Sequence, residues 1–169
     1  MQAKKGDSWM DNMKFTDFIC FEAVVPELKA TDRDGVIAEL VSALYATGKL
    51  GKGNCSQIIK TVTKRENEAS TGMGKGVAVP HIRDKIVKTV VATLGQSATG
   101  IDFAALDKQP VYTVILLISP LEDPDLHLRA MEHVFKYLQQ EKFRKFLRQC
   151  QSAEQIEDLL READENPSL

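Results

Sequence analysis

The run VYTVILLIS, Val111 to Ser119, is apolar almost throughout and rich in β-branched residues. A strand with one wet face alternates apolar and polar side chains, whereas a strand that has lost the alternation is buried on both faces. Such a strand belongs at the centre of a sheet with other elements covering it. Its clearly apolar part, Val114 to Ile118, is far too short to span a bilayer.

GVAVP and KIVKTVVATLG, bounded by Gly or Pro, read as further strands. Helical signals lie on either side of this block. Thr31-Asp32-Arg33-Asp34 is a helix start, and Val36, Leu40, Ala43, Leu44 and Thr47 recur at helical spacing until Gly48. Asn54 is expected to cap a second helix that carries Ile58, Ile59 and Val62 and ends in the charged turn KREN. After Pro124-Asp125, Leu128, Met131, Phe135 and Leu138 form an apolar stripe read as core, followed by EKFRKFLRQC. Ser152-Ala153-Glu154-Gln155 has a capping-box pattern and opens a last helix with Ile156, Leu159 and Leu160.

The chain has 169 residues, enough for one domain with a substantial core. The expected fold is a single α/β domain over residues 15–163, a small sheet flanked by helices on both faces, with polar tails at 1–14 and 164–169. With 22 basic and 24 acidic residues there is no overall basic field to attract nucleic acid or an anionic membrane. Cys20, Cys55 and Cys150 are odd in number and widely spaced, which suggests neither a disulfide framework nor a zinc site and fits a reducing cytoplasm. The first dozen residues, MQAKKGDSWMDN, lack the apolar core of a signal peptide.

Chemistry is concentrated in GMGKGVAVPHIRD, Gly72 to Asp84. Pro80 fixes its own φ and pushes Val79 toward an extended conformation, so His81 is expected to leave a strand end in a restricted direction. Gly72, Gly74 and Gly76 permit a loop packed closely against that strand. His127 falls in the first turn of the helix after Pro124, where free backbone N–H groups favour an anion. His133, within AMEHVFKYL, has no such setting and reads as an ordinary helix residue. No HExxH or HxxxH pair supports a metal, no GxSxG supports a serine hydrolase, and the glycines do not spell a nucleotide-binding P-loop. A nucleophilic imidazole remains. Neutral histidine attacks phosphorus readily near neutral pH, and a labile P–N bond hands the group onward. Donors for the phosphoryl oxygens are sought in His127, Arg65, Ser70 and Thr71.

These residues carry a family resemblance. RENEASTGMGKGVAVPH, with Arg65 upstream of His81, resembles the phosphorylation-site motif of enzyme IIA domains of the fructose/mannitol class in the bacterial phosphoenolpyruvate-dependent phosphotransferase system, and looks most similar to the nitrogen-regulatory branch. FAALDKQPVYTVILLISP, DLHL and FRKFLRQCQSAEQIEDLL extend the likeness from about Phe15 to Leu160. The resemblance implies a mannitol-IIA-like α/β fold with a mixed sheet and a cytoplasmic phosphocarrier without cofactor or metal. It also implies His81 as phosphoryl acceptor, His127 and Arg65 as its site partners, the histidine phosphocarrier protein HPr or a paralogue as donor, and a IIB cysteine or a regulatory target downstream. The sequence departs from the family pattern at Ile82, directly after the histidine, where a small residue is usual.

Overall fold

The VYTVILLIS run is indeed the central strand. In a computed structural model describing residues 13–167, the chain passes through α1 (Phe15–Phe18), a 3-10 turn (Phe21–Ala23), α2 (Arg33–Ala46) and α3 (Cys55–Glu68). The strands β1 (Gly72–Gly74), β2 (Val77–Ala78), β3 (His81–Asp84), β4 (Val91–Ile101) and β5 (Val111–Pro120) follow, and then the helices α4 (Pro124–Leu138), α5 (Glu141–Gln149) and α6 (Ala153–Glu165). One edge of β5 pairs with β2 and β3 in parallel, and its other edge pairs with β4 antiparallel, so the sheet is mixed.

Its two faces bury different helices. Leu94, Ile115 and Leu117 pack with Ala130, Val134, Leu147 and Leu160 of α4, α5 and α6, while Val114, Leu116 and Ile118 pack with Ile37, Leu40, Val41 and Ile58 of α2 and α3. Alternate side chains of β5 therefore enter opposite cores, which is why the strand shows no polar alternation. Asp32 caps α2 by accepting from Gly35 N–H at 2.6 Å, and Asn54 caps α3 through Gln57 N–H at 3.0 Å, both at the expected starts.

Several boundaries differ from expectation. Within KIVKTVVATLG, residues 85–90 form a turn and β4 begins at Val91, because Val87 and Val90 are buried from that turn without strand pairing. Leu128 is 56 % exposed, so the core stripe of α4 runs instead through Ala130, Met131, Val134, Tyr137 and Leu138. The last helix continues past residue 163, since the Asp164 carboxylate accepts the Phe15 and Thr16 N–H groups at the start of α1. The expected N-terminal tail falls, in its residues 1–12, outside the described residues. The segment after α1 had no sequence signal of its own; it runs beside β4, with bridges Ile19–Ala92 and Val25–Gly95.

The three glycines answer two different needs. A side chain at Gly72 would meet Ala105 at 2.8 Å, a close approach that only glycine allows. Gly74 and Gly76 have φ of +91° and +81°, in the left-handed region that the β1–β2 turn requires. His133 lies among Phe15, Phe18 and Tyr137, with its Nε2 buried and without a hydrogen-bond partner.

Candidate functional site

β2 and β3 are one strand interrupted at Val79-Pro80. Both keep the same register along β5, Ala78 opposite Val114 and His81 opposite Leu117. Pro80 has no N–H to give the ladder, but its carbonyl still accepts Leu117 N–H at 3.0 Å. The interruption leaves the Val79 carbonyl to a side chain, and His81 Nδ1 lies 2.7 Å from it. Because a carbonyl only accepts, Nδ1 carries the proton and Nε2 keeps its lone pair. His81 thus opens a new strand where the sequence suggested that it leaves the end of one, and the strand break orients its ring.

The His127 ring lies 5.6 Å from that of His81, centroid to centroid, with the planes inclined by 36°. It is set at the start of α4, where Asp123 caps the helix by accepting Leu126 N–H at 3.0 Å. The His127 N–H is already bonded to the Asp123 carbonyl, and Asp123 and Asp125 place two carboxylates at this helix end. The helix start therefore offers an anion less than the sequence suggested; what it positions is the imidazole. The His127 Nδ1 is 2.7 Å from the Ser119 hydroxyl at the end of β5.

The two rings border an open cavity of about 410 Å³, into which α3 brings Lys64, Arg65 and Glu68, and β3 brings Arg83. Three cations against one carboxylate make it a basin for an anion. Arg65 also donates to the Ala69 carbonyl at 3.0 Å, tying its guanidinium to the end of α3. Burial lowers the pKa of His81; its bond to Val79 opposes the shift, Arg65 adds to it and Glu66 opposes it. For His127 burial again comes first, followed by the charges of His81 and Arg83, all lowering the pKa. Both imidazoles are thereby biased toward the neutral form.

Ser70 and Thr71 stand apart from this basin. The Ser70 hydroxyl donates to the Phe103 carbonyl and accepts Gly72 N–H at 3.1 Å, and Thr71 gives both its N–H and its hydroxyl to the buried Glu66 carboxylate. Neither lines the cavity, and their hydroxyls hold the loop between α3 and β1. Ile82 is explained by alternation: it is 6 % exposed and packs in the core facing α2 and α3, opposite Ile118. Sequence reasoning overlooked Ser119, the last letter of the central-strand run, and gave no role to Lys64 or Arg83.

Comparison with known proteins identifies the chain's family and fold. Residues 18–163 match the family described as phosphoenolpyruvate-dependent sugar phosphotransferase system, EIIA 2. The fructose-specific EIIABC component of Bacillus subtilis is 30 % identical over 153 residues, 90 % of this chain and 24 % of that protein, so the chain spans about a quarter of that relative. The nitrogen regulatory protein of Bradyrhizobium diazoefficiens is 30 % identical over 149 residues, covering 88 % of this chain and 95 % of that one. In fold, the chain superposes on the nitrogen regulatory protein IIA-Ntr of Neisseria meningitidis with a TM-score of 0.78 at 23 % identity, over 85 % of this chain and 97 % of the other.

Proposed function

The chain belongs to the phosphoenolpyruvate-dependent sugar phosphotransferase system EIIA 2 family, and from that membership we propose that it is a cytoplasmic phosphocarrier accepting a phosphoryl group on His81 Nε2. The observation that carries this reading is the bond from His81 Nδ1 to the Val79 carbonyl, which reserves the Nε2 lone pair for the cavity chemistry. That lone pair attacks the phosphorus of phospho-HPr or a similar donor. The new N–P bond forms as the donor's P–N bond breaks and its electron pair returns to the donor imidazole. Arg65 and His127, which share the cavity with His81, bind the phosphoryl oxygens as charge shifts between them. The group then passes to a IIB cysteine, a reading supported by the Bacillus subtilis relative, whose name joins A, B and C parts.

Incubation with phosphoenolpyruvate, enzyme I and HPr is expected to add one acid-labile phosphoryl group, mapped to His81 by peptide mass spectrometry. A His81→Ala protein that is charged equally well would overturn the assignment.

A second reading is favoured by the match to nearly the full Bradyrhizobium nitrogen regulatory protein. Here the phosphoryl group is a signal, because a dianion on His81 changes the charge of the surface a partner meets. Pull-downs with the charged and uncharged protein are expected to recover different partners; identical sets would remove this reading and leave the carrier role untouched.

A further inference from the structure

Ser119 is the buried group at this site with no role in the reading above. Its residue is 0 % exposed, it pairs with Arg83 across the β3–β5 ladder, and its hydroxyl has one hydrogen-bond partner among the described residues, His127 Nδ1 at 2.7 Å. A buried hydroxyl with a single partner must use its proton there, since accepting instead would leave an O–H orphaned in the core at a cost of about 1–3 kcal/mol. Oγ–H therefore donates to Nδ1. An imidazole whose Nδ1 accepts carries its own proton on Nε2.

Resting on the phosphocarrier reading, we propose that Ser119 is a positioning residue that fixes His127 as the Nε2–H tautomer, so that the neutral ring donates a hydrogen bond to the phosphoryl group on His81. The two histidines are then neutral imidazoles of opposite tautomer. His81, held by an acceptor, keeps a lone pair on Nε2; His127, held by a donor, keeps a proton there. One attacks phosphorus and the other binds its oxygens, and no proton need be taken up from solvent when the phosphoryl group arrives. Burial keeps His127 below the ordinary imidazole value, so a donor that depended on protonation would be largely absent near neutral pH. The charged groups around the pair are Lys64, Arg65, Glu66 and Glu68 from α3, Arg83 from β3, and Asp123 and Asp125 at the start of α4.

The tautomers are read directly by long-range proton–nitrogen NMR correlation on the uncharged protein at pH 8, with no phosphoryl donor present. His127 is expected to show a protonated Nε2 and a bare Nδ1, and His81 the reverse. A protonated Nδ1 on His127 overturns the proposal even if every Ser119 variant fails to fold. In Ser119→Ala the His127 pattern is expected to become a mixture while that of His81 persists, and phosphoryl uptake to slow on the order of tenfold, about the worth of one hydrogen bond. The ratio of wild-type to variant rate should shrink as pH falls, because an imidazolium carries both protons, and Ser119→Thr should restore the tautomer. A ratio independent of pH, or an unchanged tautomer in Ser119→Ala, overturns the role of Ser119. The expected tautomers in a protein that takes up no phosphoryl group would instead overturn the phosphocarrier reading and leave the Ser119 assignment standing.

Discussion

Glu66 holds Thr71 twice, accepting its backbone N–H at 2.7 Å and its hydroxyl at 2.8 Å, and is itself only 2 % exposed. This clasp joins the end of α3, which carries Arg65, to the loop that leads into β1. Thr71→Val is expected to lower stability by about 1–2 kcal/mol, because a buried carboxylate oxygen loses a donor. Ser70→Ala should act in the same direction by releasing the Phe103 carbonyl. In both, the phosphoryl uptake rate of the folded protein should stay near wild type. Denaturant unfolding alongside single-turnover uptake checks this, and a slow but fully stable variant would return these hydroxyls to the phosphoryl site.

Arg65 and His127 should act on the rate instead. Each borders the cavity, and their main bonds from the site are local, to Ala69 and Ser119. Arg65→Ala and His127→Ala are expected to slow uptake by about 10²-fold, the usual cost of one preorganised donor to a developing oxyanion. The unfolding midpoint should move little in Arg65→Ala and should fall in His127→Ala, which leaves the buried Ser119 hydroxyl without its partner at a cost of about 1–3 kcal/mol. Arg65→Lys should recover only part of the rate, since an ammonium lacks the planar fork. A His127→Ala protein with the wild-type rate would exclude the donor role.

The pH profile of uptake follows from the lowered pKa of His81, whose first cause is burial. A base with a lowered pKa keeps its lone pair to lower pH. The acid limb of the rate is therefore expected below the ordinary imidazole value of about 6.5, and between pH 6.5 and 8 more of the acceptor should be nucleophilic than of a free imidazole. Rapid-quench uptake from pre-charged HPr at saturating donor, corrected for the donor's own titration, tests this. An acid limb centred above 6.5 would contradict it.

Much of this arrangement was legible in the sequence, and the gaps have physical causes. Asp32 and Asn54 announced their helices because capping is a local interaction, and VYTVILLIS announced the central strand because two-sided burial erases alternation. His81 was marked by Pro80 beside it. Ser119 was invisible because a serine ending an apolar strand looks the same whether it bonds an imidazole or simply terminates the run. Ser70 and Thr71 were sought as phosphoryl donors because their partners, Phe103 and the Glu66 carboxylate, are assigned only by tertiary contact. Leu128 fitted the helical stripe, yet it faces away from the core, and the fully buried residues of α4 begin at Ala130.

Ile82 tests whether chain neighbours at the site share a role. Its side chain packs in the α2–α3 core while His81 turns toward α4. Ile82→Ala should cost about 3 kcal/mol of stability, as deletion of a buried branched side chain does. Uptake per folded molecule should remain close to wild type. If the stability is unchanged and the rate rises, Ile82 is a gate at the cavity and its packing role is minor.

His133 offers a stability test remote from the phosphoryl site. Its ring packs edge-on to Phe15 at 4.6 Å, its Nε2 has no partner, and burial lowers its pKa, with Asp164 and Asp17 opposing the shift and Lys136 adding to it. A base whose folded pKa lies below its unfolded value binds fewer protons folded than unfolded. Stability is therefore present in full above the unfolded value, about 6.5, and is lost as pH falls through the window down to the folded value. The three histidines all shift in this direction, so the wild type should weaken on going from pH 7.5 to 5. His133→Phe removes one of the three contributions and also the orphaned nitrogen, and a cavity of about 70 Å³ beside the ring leaves space for the larger side chain. The variant is expected to be about 1 kcal/mol more stable than wild type at pH 7.5, with a wider margin at pH 5. Urea unfolding at the two pH values measures both margins. Equal margins would mean that His133 does not titrate with folding, and a destabilised variant at pH 7.5 would mean that its Nε2 is satisfied.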